Sequence, residues 1–123
     1  MGKILVIDDD ESLRRMLCRA ITNAGHVALF AENGREGVEV ARREEPHVVI
    51  TDIVMPEQDG IETIVELRRT DPSPWIIAIS GVRGIGFDPL VDAMVLGADQ
   101  VFAKPFDLHA LLGAMEHMLE GTA

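Results

Sequence analysis

The sequence is poor in cysteine, poor in lysine, poor in positive charge and free of long apolar runs. Each scarcity excludes something. A lone Cys18 forbids an internal disulfide and suits a reducing, cytoplasmic compartment. No apolar stretch approaches the about 18 residues needed to span a bilayer. The first apolar run, Ile4 to Ile7, ends at Asp8 and is too short for a signal peptide. Val6 stands where myristoylation would need Ser or Thr. Lys+Arg 11 against Asp+Glu 21 gives a formal net charge of −10. That balance argues against free-standing nucleic-acid binding and against docking on anionic membranes. Nine of the bases are Arg, so Lys3 and Lys104 are the only lysines. What is present is 123 residues with 47% apolar content, enough for one domain, residues 1–123, with a real core.

Apolar runs of strand length alternate with helical periodicity. Ile4-Leu5-Val6-Ile7 reads as a strand buried on both faces. From Glu11 to Ala24, apolar residues recur at 13, 16, 17, 20, 21 and 24, and Gly25 supplies a stop. The same pattern makes Cys18 a buried or half-buried structural thiol. Val27–Phe30 is a second strand. Asn33 caps a helix running to about Glu45, which Pro46 ends. Val48–Ile50 is a third strand, ending at Thr51-Asp52. Turn-rich residues 55–60 precede a helix with Ile61, Ile64, Val65 and Leu67 inward, closed by Asp71-Pro72-Ser73-Pro74. Trp75–Ile79 is a fourth strand. A Gly-rich loop, residues 80–86, leads to a helix opened by Asp88-Pro89 and stopped by Gly97. Val101–Ala103 is a fifth strand. Asp107 caps a last helix with Leu108, Leu111, Leu112, Met115, Met118 and Leu119 inward. Five strands alternating with five helices imply an α/β fold with a parallel sheet and helices on both faces.

The polar residues that interrupt these runs share one kind of position. Asp8, Asp9 and Asp10 follow the first strand, Asp52 ends the third, Ser80 ends the fourth and Lys104 follows the fifth. In an open parallel sheet these positions meet at the carboxyl edge, where ligands bind. Asp10 reads as a helix N-cap. The other carboxylates repel one another on meeting, and a hard divalent cation such as Mg²⁺ relieves that repulsion. Singly, each residue has a plain reading as a cap, a turn or a surface side chain. The conjunction carries the weight. Lys104 sits between Phe102-Ala103 and Pro105-Phe106, where an unpaired ammonium is costly. A compact point charge, not a planar fork, is placed there.

At these residues the chain resembles the receiver domain of two-component response regulators, the family of the chemotaxis receiver. The matching motifs are Ile4 to Asp10, Thr51 to Pro56 with Asp59-Gly60, Ile79-Ser80-Gly81, Gly97-Ala98-Asp99 and Lys104-Pro105-Phe106. Five motifs in order at suitable spacing cover essentially the whole chain. The resemblance implies a flavodoxin-like, three-layer fold with strand order 2-1-3-4-5. It implies that Asp52 takes a phosphoryl group from a phosphohistidine as an aspartyl phosphate. It implies Mg²⁺ held by Asp8, Asp9, Asp52 and the Val54 carbonyl, with Lys104 and the Ser80 hydroxyl on phosphoryl oxygens. The Lys104–Pro105 bond is often cis in such domains. Charge counting agrees: three carboxylates are balanced by Lys104 and a divalent ion, and the metal-free site should be nearly inert.

Departures from the family pattern bear on output. Val101 occupies the position, three before the lysine, where an aromatic switch residue is usual, and alternation points Phe102 to the opposite face. Twenty-four positions separate Ser80 from Lys104, longer than the usual spacing. The excess lies in the loop 81–87, read either as a carrier of the response or as a tolerated insertion. The resemblance implies that Val54 and Val82, both apolar, stand at positions that tune phosphate lifetime in the family. His26, His47, His109 and His117 show no metal spacing.

Three other classes compete: an aspartate-dependent phosphatase, a flavin carrier and a pure interaction module. The phosphatase lacks its Thr, since Ser12 stands there. The flavin carrier is opposed by acids in the first loop, and the interaction module by intact Asp52 and Lys104. The resemblance implies no turnover of an external substrate. It implies a sensor histidine kinase or phosphotransfer domain as partner, docking on the first helix (Arg14, Arg15, Cys18) and the loop after the fifth strand. A monomer or a weak phosphorylation-dependent dimer is expected, with an unspecified downstream effector. No output domain follows Ala123, so the chain is free-standing or cut from a longer protein.

Overall fold

A computed structural model describes residues 1–53, 60–80 and 97–121. Five strands, β1 (Lys3–Ile7), β2 (Val27–Ala31), β3 (Val48–Asp52), β4 (Trp75–Ser80) and β5 (Gln100–Ala103), form one parallel sheet. Their order is β2-β1-β3-β4-β5, as the resemblance implied. Four helices are present among the described residues: α1 (Glu11–Asn23), α2 (Gly34–Glu44), α3 (Gly60–Arg68) and α4 (Leu108–Glu120). The helix expected from Asp88 to Gly97, the turn at residues 55–59 and the Gly-rich loop 81–87 lie outside the described residues. No described helix is long and apolar enough to cross a membrane.

Strand alternation divides the core in two. Leu5, Ile7, Val49, Ile76 and Ala78 face α2 and α3, where they meet Val38, Ala41, Ile64 and Leu67. Ile4, Val6, Val48, Ile50, Ile77 and Ile79 face α1 and α4, where they meet Leu17, Ile21, Leu111, Met115 and Met118. A strand covered on both faces must be apolar at every position, which is why β1 reads as an unbroken run. Val101 joins the first cluster and Phe102 the second, as alternation required. Gly37 lets α2 lie against β1, because a Cβ there would collide with the Ile7 side chain.

The caps follow the sequence. Asp10 accepts from the Ser12 and Leu13 amides, Asn33 from Glu36, and Asp107 from His109. Gly25 follows α1 at φ +90, a left-handed conformation that glycine takes without a Cβ penalty. α2 ends as expected before Pro46, with Glu45 as its C-cap at φ 49. The inward face of α1 differs from the apolar line read in the sequence. Met16 is 40% exposed and Ala24 is exposed, whereas Arg14 is buried at 9%. The seam that faces the sheet runs through 14, 17 and 21, and its first position is charged. Cys18 is half-buried, and burial raises its thiol pKa against the opposing charge of Arg14.

Candidate functional site

Register brings the sequence-predicted residues to one edge. Ile7 pairs with Thr51, Asp52 with Ile79, and Ser80 with Ala103. Asp8, Asp52, Ser80 and Lys104 therefore end or follow four adjacent strands on the carboxyl side. The Lys104 amide donates to the Ser80 carbonyl at 2.9 Å, extending the β4–β5 ladder to the lysine itself. The Ile53 amide donates to the Ile79 carbonyl at 2.9 Å, which does the same beside Asp52. The Lys104–Pro105 bond is cis.

Lys104 Nζ donates to Asp52 Oδ2 at 2.8 Å and lies 3.8 Å from Asp8 Oδ2. Asp8, Asp52 and Ser80 are buried, while Asp9 is exposed. One carboxylate oxygen each from Asp8, Asp9 and Asp52 lies within 4.8 Å of the others. Asp8 Oδ1 accepts from the Asp10 amide at 2.9 Å. Its Oδ2 is buried without a hydrogen-bond partner among the described residues. A buried carboxylate oxygen left without a donor, facing two further carboxylates, fits a hard divalent cation with oxygen ligands. Asp10 serves as the N-cap and leaves the cluster to the other three. Val54, expected to add a carbonyl, lies outside the described residues, as does Val82.

Electrostatics follow from burial. Asp8 is pushed up to about 6, chiefly by desolvation, with the charges of Asp52 and Asp9 adding to it. The Asp10 amide and Lys104 pull the other way without cancelling it. Burial alone lowers the Lys104 ammonium. The hydrogen bond and charge of Asp52, with Asp8 and Asp10, outweigh that and raise it overall. The lysine is thus held charged at the carboxylates.

Some structural positions were not legible beforehand. Asp99, part of a matched motif with no assigned role, sits at the opposite end of the sheet. It accepts from the Ile76 amide at 2.8 Å and from Arg68 Nη2 at 2.6 Å. Arg68 also donates to the carbonyls of Gly97 and Pro74. This ties the end of α3 to the starts of β4 and β5. His26 accepts from the Gly2 amide and pairs with Glu116, and His47 accepts from the Lys3 amide. Both are strand-edge struts. Arg14, expected on a docking surface, is largely buried and donates to the Asp8 carbonyl, yet it also lines a surface groove beside α1. Arg15 is exposed, and with Glu11, Arg14, Cys18, Arg19 and Phe30 it lines that groove, of about 560 Å³.

Known proteins resemble this chain in sequence and in fold. The family model described as response regulator receiver domain matches residues 4–116. The response regulator receiver protein CpdR of Brucella abortus is 36% identical over 119 residues, covering 97% of this chain and 98% of that protein. The chemotaxis protein CheY of Thermotoga maritima is 38% identical over 117 residues, covering 94% and 96%. The receiver domain of the Francisella response regulator 1452 has a TM-score of 0.90 at 23% identity over 100% of both chains, a likeness of fold. Of the longer response regulator MprA of Mycolicibacterium vanbaalenii, 32% identical, the chain spans about half, 51%. A carboxyl-edge cluster of acids facing one lysine, on this strand order and with these relatives, places the chain in the family of response regulator receiver domains, the modules of two-component phosphorelay signalling.

Proposed function

We propose that Asp52 is the phosphoryl acceptor of this domain and that residues 1–123 act as one receiver. A carboxylate oxygen of Asp52 attacks phosphorus of a phosphohistidine. The P–N bond breaks, and the imidazole nitrogen leaves with the electron pair and takes a proton from solvent. The observation that carries this reading is the 2.8 Å contact from Lys104 Nζ to Asp52 Oδ2 beside the orphaned Oδ2 of Asp8. Lys104 is positioned to move from the carboxylate to a phosphoryl oxygen as charge shifts there. Ser80, buried at the end of the neighbouring strand, is the hydroxyl assigned to a second phosphoryl oxygen. Asp8, Asp9 and Asp52, with the Val54 carbonyl, are the ligands assigned to Mg²⁺. The ion supplies charge neutralisation for the attacking carboxylate and the transferring group.

Partners follow from the chemistry. Receiver domains work with histidine kinases and downstream effectors, and a phosphohistidine donor must reach the carboxyl edge. The exposed side of α1, with Arg15, and the segment after β5 flank that edge and are assigned to the donor. The domain acts in the cytoplasm, as a monomer or a phosphorylation-dependent dimer, with catalysis confined to its own aspartyl phosphate. The test is labelling by a small phosphodonor with and without Mg²⁺. Label is expected only with the ion, and none on Asp52→Asn. Label that persists on Asp52→Asn overturns the assignment.

A further inference from the structure

Arg14 is the charged residue on the core-facing seam of α1, in line with Leu17 and Ile21. Its side chain is 10% exposed. A guanidinium in that position gives up most of its hydration, so its partners matter. Nη1 donates to the main-chain carbonyl of Asp8 at 2.9 Å, a buried bond. The guanidinium carbon lies 5.6 Å from the centroid of the Phe30 ring, within cation–π range. Nη2 lies 4.0 Å from the exposed carboxylate of Glu32, at the edge of an ion pair. The strongest of these contacts is the one to Asp8.

β1 ends at Ile7, so the Asp8 carbonyl lies beyond the strand ladder. A buried carbonyl there needs a donor, and Arg14 supplies it. The rest of Asp8 is also fixed: its amide donates to the Ala31 carbonyl at 3.2 Å and Oδ1 accepts from the Asp10 amide. The carbonyl that Arg14 holds belongs to the peptide joining Asp8 to Asp9. Holding that peptide plane sets the direction from which both carboxylates leave the backbone.

We infer that Arg14 is a positioning residue of the cation site, holding the Asp8–Asp9 peptide so that both carboxylates converge with Asp52. The inference rests on reading Asp8, Asp9 and Asp52 as the Mg²⁺ ligands. Groups that orient metal ligands commonly affect affinity by 10–100-fold, about what the loss of this bond should produce. Phe30 fixes the guanidinium from the solvent side.

The experiment is calorimetric titration with Mg²⁺ alone, on the full chain, alongside thermal unfolding. Arg14→Met should weaken Mg²⁺ binding about tenfold or more. Leu17→Ala, one turn along the same seam, should lower Tm yet leave the Mg²⁺ Kd within about twofold. Phosphodonor labelling should then need about tenfold more Mg²⁺ for half-maximal rate in Arg14→Met, with the rate at saturating Mg²⁺ recovered. A Kd for Arg14→Met within about twofold of the unaltered protein overturns the inference. So does equal weakening in Leu17→Ala, which would reduce Arg14 to a general stabiliser. If Arg14→Met does not fold, the same thresholds apply to Arg14→Gln. Asp8→Asn separates the two readings. If it abolishes Mg²⁺ binding while Arg14→Met does not change it, only the Arg14 inference falls. If the unaltered protein binds no Mg²⁺, both fall.

Discussion

Asp8 is the residue with most at stake in its surroundings. Its carboxylate is buried, one oxygen accepts an amide and the other lies 3.8 Å from Lys104 Nζ with no hydrogen-bond partner among the described residues. Without a cation the folded state therefore favours the protonated acid, at about 6 against 3.8 for the ordinary group. Protonation is then tighter in the folded chain than in the unfolded one. The stability this gives is fully present below the ordinary value and is lost as pH rises through about 6. The loss is on the order of 3 kcal/mol. Urea unfolding in chelator should show the unaltered protein losing stability relative to Asp8→Asn between acid and neutral pH. Parallel profiles would refute it. Lys104 offers the complementary test. Lys104→Met leaves two buried carboxylates facing each other without their cation. It should cut phosphodonor labelling at least about 100-fold, while circular dichroism stays native.

Among elements, α2 and the α3–β5 junction carry the clearest predictions. Gly37→Ala replaces a hydrogen with a methyl that collides with the Ile7 side chain, a fully buried residue of β1. Overpacking of this kind costs about 1–3 kcal/mol, more than the better helix propensity of alanine returns. Chemical denaturation should show a net loss, and a net gain would mean that Ile7 yields easily. At the other end of the sheet, Asp99→Ala strips a partner from both the Ile76 amide and Arg68. A loss of about 1–3 kcal/mol is expected. Labelling of Asp52 should survive it, because the Arg68–Asp99–Ile76 contacts lie at the amino-terminal edge, away from the carboxylates of the candidate site. Trp75 stands at that same edge, roughly 16 Å from Ser80 along β4, so its fluorescence should report this junction and not the carboxyl edge.

For the molecule as a whole, most of the acids behind the −10 charge are solvated surface, and Asp8, Asp9 and Asp52 form a local excess. A cation bound there by the folded chain alone stabilises it by mass action. Mg²⁺ at about a hundred times its Kd should add about 2.7 kcal/mol, readable as a rise in Tm, and should add nothing to Asp8→Asn. An equal rise in both proteins would indicate general screening of the net charge.

Much of this was legible in the residues. Strand and helix periodicity, the caps at Asp10, Asn33 and Asp107, and the placing of polar residues at strand ends are local properties, carried by neighbours a few positions apart. They fixed the described elements and pointed to Asp8, Asp9, Asp52, Ser80 and Lys104. The inward turn of Arg14 was not legible, because α1 offers apolar residues on more than one line and only the sheet decides which line is buried. A spacing of 14, 17 and 21 was the available signal, hidden by the charge at its first position. The part played by Asp99 was hidden for the same kind of reason, since its partners, Arg68 and Ile76, are 31 and 23 residues away. By itself, then, the sequence determined which groups the molecule owns and the ends of strands on which they stand. Tertiary structure alone decided which of them are desolvated and which donor reaches which acceptor, because burial and long-range hydrogen bonds exist only once the strands have been laid side by side.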